Sequence, residues 1–194
     1  MKYPLITIAR EHGSGGRVIA QRVSRMLDIP VYDKTVIDIA AQECGLSPQF
    51  MEEIEKRRTG NFLYNLYLSS TNMSIVDQVY LAQSQVIKTL AEEGPCIIVG
   101  RCADHVLRER GDCLRVFVYA PLADRIRRVT QEYRENAADP ESYLLRCDKQ
   151  RASYYNSFAD TRWGDRRNYH LMLNSTIGIE LAARFICEAA KGDA

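Results

Sequence analysis

Five short and almost wholly apolar runs punctuate this chain, with helical segments between them, and no other feature restricts the fold as tightly. The runs are Leu5–Ala9, Ile29–Tyr32, Cys96–Val99, Leu114–Ala120 and Tyr169–Leu173. A strand that is apolar at nearly every position, rather than at every second one, is covered on both faces, as strands in parallel sheets are. The intervening segments carry helical signals. Val18, Ile19, Val23, Met26 and Leu27 share one helical face, and Val36 to Ala41 begins another helix. Ser47-Pro48 reads as an N-cap followed by proline at the first helical position. Asp77–Glu93 stops at Gly94-Pro95, Asp124–Glu135 is strongly basic, Asp139-Pro140 starts a helix toward Phe158, and Ile179–Ala190 closes the chain. Strands alternating with helices predict βαβ units with right-handed crossovers. The expectation is one α/β domain over residues 1–194, a five-stranded parallel sheet flanked by helices. The stretch 45–75 breaks the pattern. Its Lys56-Arg57-Arg58 and its aromatic Asn61–Tyr67 suit an insert or a partner surface.

Composition narrows the function classes. Lys plus Arg number 26 and Asp plus Glu 25, leaving a net charge of +1. That provides no global field for nucleic acid or for an anionic membrane, and neither is expected as a partner. No apolar run approaches the ~20 residues of a membrane helix, and the first residues lack a signal peptide's apolar region, so a cytoplasmic location is expected. The 6 cysteines form no Cys-x-x-Cys pair and read as reduced core thiols. The 3 histidines have no metal-ligand spacing, which argues against a zinc enzyme.

The first strand runs into Gly13-Ser14-Gly15-Gly16-Arg17 and then a helix. Strand, glycine turn and helix together can cradle a phosphate, because backbone N–H groups converge there and the helix dipole favours an anion. Arg17 opposes that dipole, and a bound phosphate would account for it; alternatively the turn is only tight and Arg17 solvated. The loop departs from the usual pattern G-x-x-x-x-G-K-[ST]. With Gly15 as the second glycine, the first falls on Arg10 and the lysine on Gly16. With Gly16 as the second, they fall on Glu11 and Arg17. Neither register provides the hydroxyl that usually meets magnesium, so Arg17 is expected to stand in for the lysine.

Ordered segments along the chain resemble the cytidylate-kinase-like branch of the P-loop nucleoside monophosphate kinases. They are Ile6–Arg17, Ile29-Pro30-Val31-Tyr32-Asp33-Lys34, Ile98-Val99-Gly100-Arg101-Cys102-Ala103-Asp104, Tyr119–Arg128, Asp148-Lys149-Gln150-Arg151 and Leu173-Asn174-Ser175-Thr176. The likeness spans nearly the whole chain. It differs at the lysine and hydroxyl of the loop, at Cys102 where that branch has Asp, and at Asn174 where it often has Asp. The resemblance implies a three-layer P-loop kinase-like fold, an acceptor-side insert near 45–75 and a helical lid near 124–160. The implied activity is transfer of the γ-phosphoryl group of a nucleoside triphosphate to a nucleoside monophosphate, CMP-like, or another small acceptor. Magnesium is implied as cofactor, with no protein ligand evident. The oligomeric state is left open.

Phosphoryl transfer is mostly positioning and charge stabilisation, which directs attention to the arginines. Gly13, Ser14, Gly15, Gly16 and Arg17 are expected at the donor phosphates, and Arg17, Arg128 and Arg151 at the transferring group. Alternatively, the basic helix is solvated and paired with Asp124, Glu132 and Glu135. Asp33 and Arg101, at the carboxyl ends of strands, are expected at the acceptor, although Asp33 also suits an N-cap. Asp104 joins them, or pairs with Arg101 or caps locally. Cys102 reads as a neutral pocket liner, and Tyr154, Tyr155 and Trp163 as packing between lid and core. A second reading remains, in which the variant loop binds an anion without turnover and the chain acts as a sensor or partner-binding module.

Overall fold

The computed structural model describes residues 1–33, 35, 36, 39 and 74–192. The expectations for Ser47-Pro48, for Cys44, for Lys56–Tyr67 and for most of Val36–Ala41 lie outside the described residues.

Five strands form one sheet: β1 (Leu5–Arg10), β2 (Val31–Tyr32), β3 (Cys96–Val99), β4 (Cys113–Tyr119) and β5 (Leu171–Asn174). The order is β2-β3-β1-β4-β5, and every pairing is parallel. The three-layer α/β expectation is met. β1, β3 and β4 are buried nearly throughout, whereas the short edge strands β2 and β5 are only partly so.

The period of two sorts their side chains between two cores. Ile6, Ile8, Ile97, Val99, Leu114, Val116 and Val118 face one side, where α1 (Gly16–Leu27) supplies Ile19, Ala20 and Val23. The last described helix supplies Ala182, Ala183, Ile186 and Cys187 to the same core. Leu5, Cys96, Ile98 and Cys113 face the other side, against Val86, Ile87, Leu90 and Ala91 of α2 (Ile75–Glu93). Ala182 and Ala183 share this core with α1. The buried face of α1 is Gly16, Ile19, Ala20 and Val23. Val18 and Met26, expected inside, are 38% and 42% exposed.

Several boundaries differ from those read in the sequence. α2 starts at Ile75, because Ser74 caps it by accepting the Asp77 N–H at 3.1 Å. A short α3 (Ala103–Val106) follows β3. The basic helix is α4 (Leu122–Arg127), opening directly after Pro121 and continuing as a π-helical turn, Arg128–Glu132. α5 (Pro140–Phe158) begins as expected, with Asp139 accepting the Ser142 N–H at 3.2 Å. α6 (Ile179–Lys191) is the closing helix. Of the described cysteines, Cys96, Cys102, Cys113 and Cys187 are buried and all are free thiols. No described helix is long and apolar enough to cross a membrane.

Candidate active site

The site lies at the carboxyl ends of β1 and β3, the edge where open α/β sheets bind ligands. β1 is central, so its exit loop is held from several sides. Gly13 and Gly15 have φ of 75° and 85°, conformations natural to glycine. A side chain at Gly13 would also strike the Arg125 carbonyl at 2.9 Å. Ser14 is fully buried, and its hydroxyl and N–H both turn to the Glu11 carbonyl, at 2.9 and 3.4 Å. Its hydroxyl thus shapes the loop from within. Gly15 caps α1 without any side-chain hydrogen bond, and its carbonyl accepts the Ile19 N–H at 2.9 Å. The N–H groups of Gly15, Gly16 and Arg17 have no acceptor among the described residues, the usual condition of a helix's first turn. The Arg17 side chain is exposed.

Two arginines from the α4 side brace the loop. Arg125 is buried, with Nη1 bonded to Asp148 Oδ2 and 3.5 Å from Glu11 Oε2. Arg128, also buried, donates from Nη1 to the Gly13 carbonyl at 2.8 Å and to Ser175 Oγ at 3.5 Å. The structure therefore sets Arg128 on the loop's carbonyl side. Asp148 of α5 also accepts the His12 N–H at 2.7 Å. The His12 ring bridges Glu135 at 3.0 Å and Arg151 at 3.0 Å. Arg151 Nη1 donates to the Arg10 carbonyl at 3.1 Å. Burial pushes the Glu11 carboxyl up from its ordinary value and the Arg151 guanidinium down.

Beside the loop opens a cleft of about 270 Å³, lined by Arg10, His12, Gly100, Arg101, Cys102, Asp104, Gln150, Arg151, Tyr154, Tyr155 and Trp163 among others. It brings Arg101, Asp104 and Arg151 together, and places Cys102 in the wall as expected. Gly100, Arg101 and Cys102 all have positive φ, 79°, 57° and 56°. Two consecutive non-glycine residues in this region cost about 1–2 kcal/mol each, and such strain concentrates at functional sites. Asp33 lies with Oδ1 3.5 Å from Arg10 Nη2. Asp104 is 4% exposed, and its Oδ2 has no hydrogen-bond partner among the described residues. Burial drives its carboxyl up, against the opposing pull of the Tyr155 and Tyr169 hydroxyls. The aromatic packing is also as expected. Trp163 meets Phe117 edge-on at 5.2 Å, and Tyr154 donates to Gln83 at 2.8 Å, docking α5 on α2.

Arg10 is the residue that sequence reasoning missed. It ends β1, which marks it as a strand residue, and only the sheet order shows that this end opens into the cleft. Its pKa falls to about 9, chiefly through burial and then through Arg151, with Arg101 and Arg17 adding to the repulsion and Asp33 opposing it. An arginine resists losing its proton, so the depression expresses an unfavourable charge that an anion would relieve.

Comparison with protein families settles the lineage. A model of the cytidylate kinase-like family matches residues 5–177. The chain belongs to this family. The matched span runs from the first residue of β1 to the exit of β5, so it includes the loop, the cleft and both arginine-bearing helices. Solved structures agree on the fold. An uncharacterized protein from Eubacterium ventriosum is 21% identical, with 97% of this chain and 99% of that one covered and a TM-score of 0.72. A gluconokinase from Sinorhizobium meliloti is 12% identical over 98% and 94% of the chains, TM-score 0.58. A shikimate kinase from Bacteroides thetaiotaomicron is 12% identical over 96% and 98%, TM-score 0.57. No curated protein matches the sequence significantly. This cytidylate kinase-like chain thus has the fold of P-loop kinases.

Proposed function

We propose that the protein is a phosphotransferase that moves the γ-phosphoryl group of a nucleoside triphosphate to a small acceptor, a CMP-like nucleoside monophosphate foremost. The acceptor oxygen would bond to the γ-phosphorus as the bond to the β–γ bridging oxygen breaks. A monophosphate acceptor would attack through an already ionised phosphate oxygen, whereas a hydroxyl acceptor would release its proton to solvent, and in either case a nucleoside diphosphate and a phosphorylated acceptor result. The observation that carries this reading is that the loop whose Gly15, Gly16 and Arg17 N–H groups have no acceptor among the described residues packs at Gly16 against Arg10, which lines a cleft with Arg101 and Arg151.

In this reading Gly13 to Arg17 hold the donor, with Ser14 fixing the loop's shape. Asp33, Arg101 and Asp104 hold the acceptor, Arg151 neutralises the travelling group, and Arg128 keeps the loop in place from behind. The α4–α5 segment acts as the lid. Magnesium would arrive with the triphosphate, which commonly supplies most of its ligands alongside water. Asp33 is the carboxylate suited to hold one of those waters, and the hydroxyl that usually meets the ion has no counterpart at Arg17. The free buried thiols suit a reducing, cytoplasmic setting.

The neighbours named shikimate kinase and gluconokinase widen the acceptor panel beyond nucleotides. A coupled assay with ATP and magnesium against CMP, other monophosphates, shikimate and gluconate is expected to show turnover with a monophosphate. The missing lysine and hydroxyl favour one competing reading, an anion-binding module, and triphosphate binding without turnover on any acceptor would establish that one instead.

A further inference from the structure

Two departures from the usual phosphate loop, an arginine where the first glycine belongs and a glycine where the lysine belongs, occupy the same few ångströms of space. With Gly15 as the second glycine of the pattern, these are Arg10 and Gly16. A Cβ added at Gly16 would lie 2.7 Å from Arg10 Cβ and 3.0 Å from its Cγ. The Gly16 backbone is helical, and its φ lies outside the positive region where Gly13 and Gly15 sit. Backbone conformation therefore does not call for glycine there, and a helix start without a side chain gives up stability. The stem of Arg10 is what excludes a side chain. At the other end of the same residue, a Cβ on Gly100 would fall 1.9 Å from Arg10 Nη1. Arg10 thus lies between two glycines, of which Gly16 makes room for its stem, while Gly100, at a φ of 79°, suits glycine on its own account.

We propose that the two departures are one exchange, and that Arg10 is the phosphate-binding cation of this loop in place of the lysine. The inference rests on the phosphotransferase reading and deepens it. The Arg10 side chain crosses from β1 over Gly16 to the cleft, where it remains 20% exposed and meets Asp33 through a single contact at 3.5 Å. Its guanidinium comes from the strand side of the loop, whereas a lysine would come from the helix side. It presents a planar pair of N–H donors suited to phosphate oxygens. The electrostatic setting agrees. Burial and the neighbouring Arg151, Arg101 and Arg17 depress its pKa to about 9, a state that an anion in the cleft would relieve. Arg17, on the exposed side of α1, then adds long-range attraction.

ATP binding measured by titration calorimetry, without magnesium, tests the exchange. Arg10→Met keeps the stem and removes the charge. It is expected to weaken ATP by about tenfold to a hundredfold, the scale of a charge-assisted hydrogen bond, and more than Arg17→Ala does. Gly16→Lys alone is expected to lower the thermal midpoint, because its Cβ meets the Arg10 stem. The double swap Arg10→Gly/Gly16→Lys removes that clash, and is expected to recover the midpoint and to bind ATP more tightly than Arg10→Met. Arg10→Met binding like the wild-type protein, or a double swap no better than its weaker parent, would overturn the inference. Should Arg10→Met lose its fold, Arg10→Lys takes its place, with retained ATP binding expected and complete loss overturning the proposal. A wild-type protein that binds no ATP would instead defeat the phosphotransferase reading itself, and the separate outcomes keep the two failures apart.

Discussion

The arginines beneath the glycine loop and those in front of it share a residue type and little else. Beneath, Arg125 has Asp148 and Glu11 as counter-charges, and Arg128 has the Gly13 carbonyl, with Glu132 3.6 Å away. In front, burial and Arg151 depress the charged state of Arg10, burial and Arg101 depress that of Arg151, and Asp33 and Asp148 at 3.5 and 3.8 Å give partial relief. The first set is held against protein carboxylates and a loop carbonyl and sets the shape of the loop, although the Arg125 and Arg128 Nε atoms have no hydrogen-bond partner among the described residues. For the second we propose that a ligand completes the neutralisation. A count of basic residues on a helix therefore says little about function until the partners are known, and the comparison predicts opposite phenotypes for the two sets.

The largest effect belongs to the set beneath. Arg125→Ala would take the cation from Glu11 and leave Asp148 with Arg151 at 3.8 Å, and breaking a buried pair in this way costs about 3–5 kcal/mol. Denaturant unfolding is the measurement, with loss of the loop's ligand binding following from the same collapse. A change below ~1 kcal/mol would mean that water or another group replaces Arg125 easily, and that the two sets do not differ in kind.

The next effect belongs to the set in front. Arg151→Ala is expected to lower turnover by about 10²–10³, the cost of removing one well-placed stabiliser of transition-state charge. The acceptor KM should move far less, because the interaction would be made mainly in the transition state. A raised KM with turnover unchanged would assign Arg151 to ground-state binding. Turnover and KM both unchanged would place it with the scaffold.

The sheet was readable because each strand is a short apolar run between helical signals, and period-two alternation then assigns its residues to the two cores. The glycine loop was readable because Gly13 and Gly15 mark it in one dimension. The division among the arginines was not. Arg128 is expected from the sequence at the transferring group, with a solvated basic helix as the alternative, whereas the burial of Arg125 and Arg128 goes with the π turn at Arg128–Glu132 and with Asp148 arriving from a different helix. Arg10 lies just past the run Leu5–Ala9, where one register of the loop pattern has its first glycine. Its role emerges from where Gly16 and Gly100 come in space, 6 and 90 residues away along the chain.

The smallest predicted effect concerns Asp104, the cleft's buried carboxyl, and it tests whether the comparison extends beyond arginines. Its Oδ2 has no hydrogen-bond partner among the described residues, and burial raises its pKa above the ordinary 3.8. In the unfolded chain the group ionises first as pH rises. Between 3.8 and the raised folded value, the native state therefore holds more protons than the unfolded state. Stability then falls with rising pH through that window, and the favourable contribution is fully present only below 3.8. Asp104→Asn cannot ionise, so it is expected to flatten this part of the pH–stability curve. At pH 7 it should hold or raise stability, on the order of 1 kcal/mol, the scale of an unsatisfied buried acceptor. Thermal melts of both proteins from pH 4 to 7 decide the matter. A variant that gains relative to wild type as pH rises would group Asp104 with the cleft residues, held in an unfavourable state for a ligand's donor group. A variant that loses stability at every pH would make the carboxylate an anchor for the Tyr155 and Tyr169 hydroxyls. Asp104 would then belong with Arg125 and Arg128, among the groups that build the site rather than those that act in it.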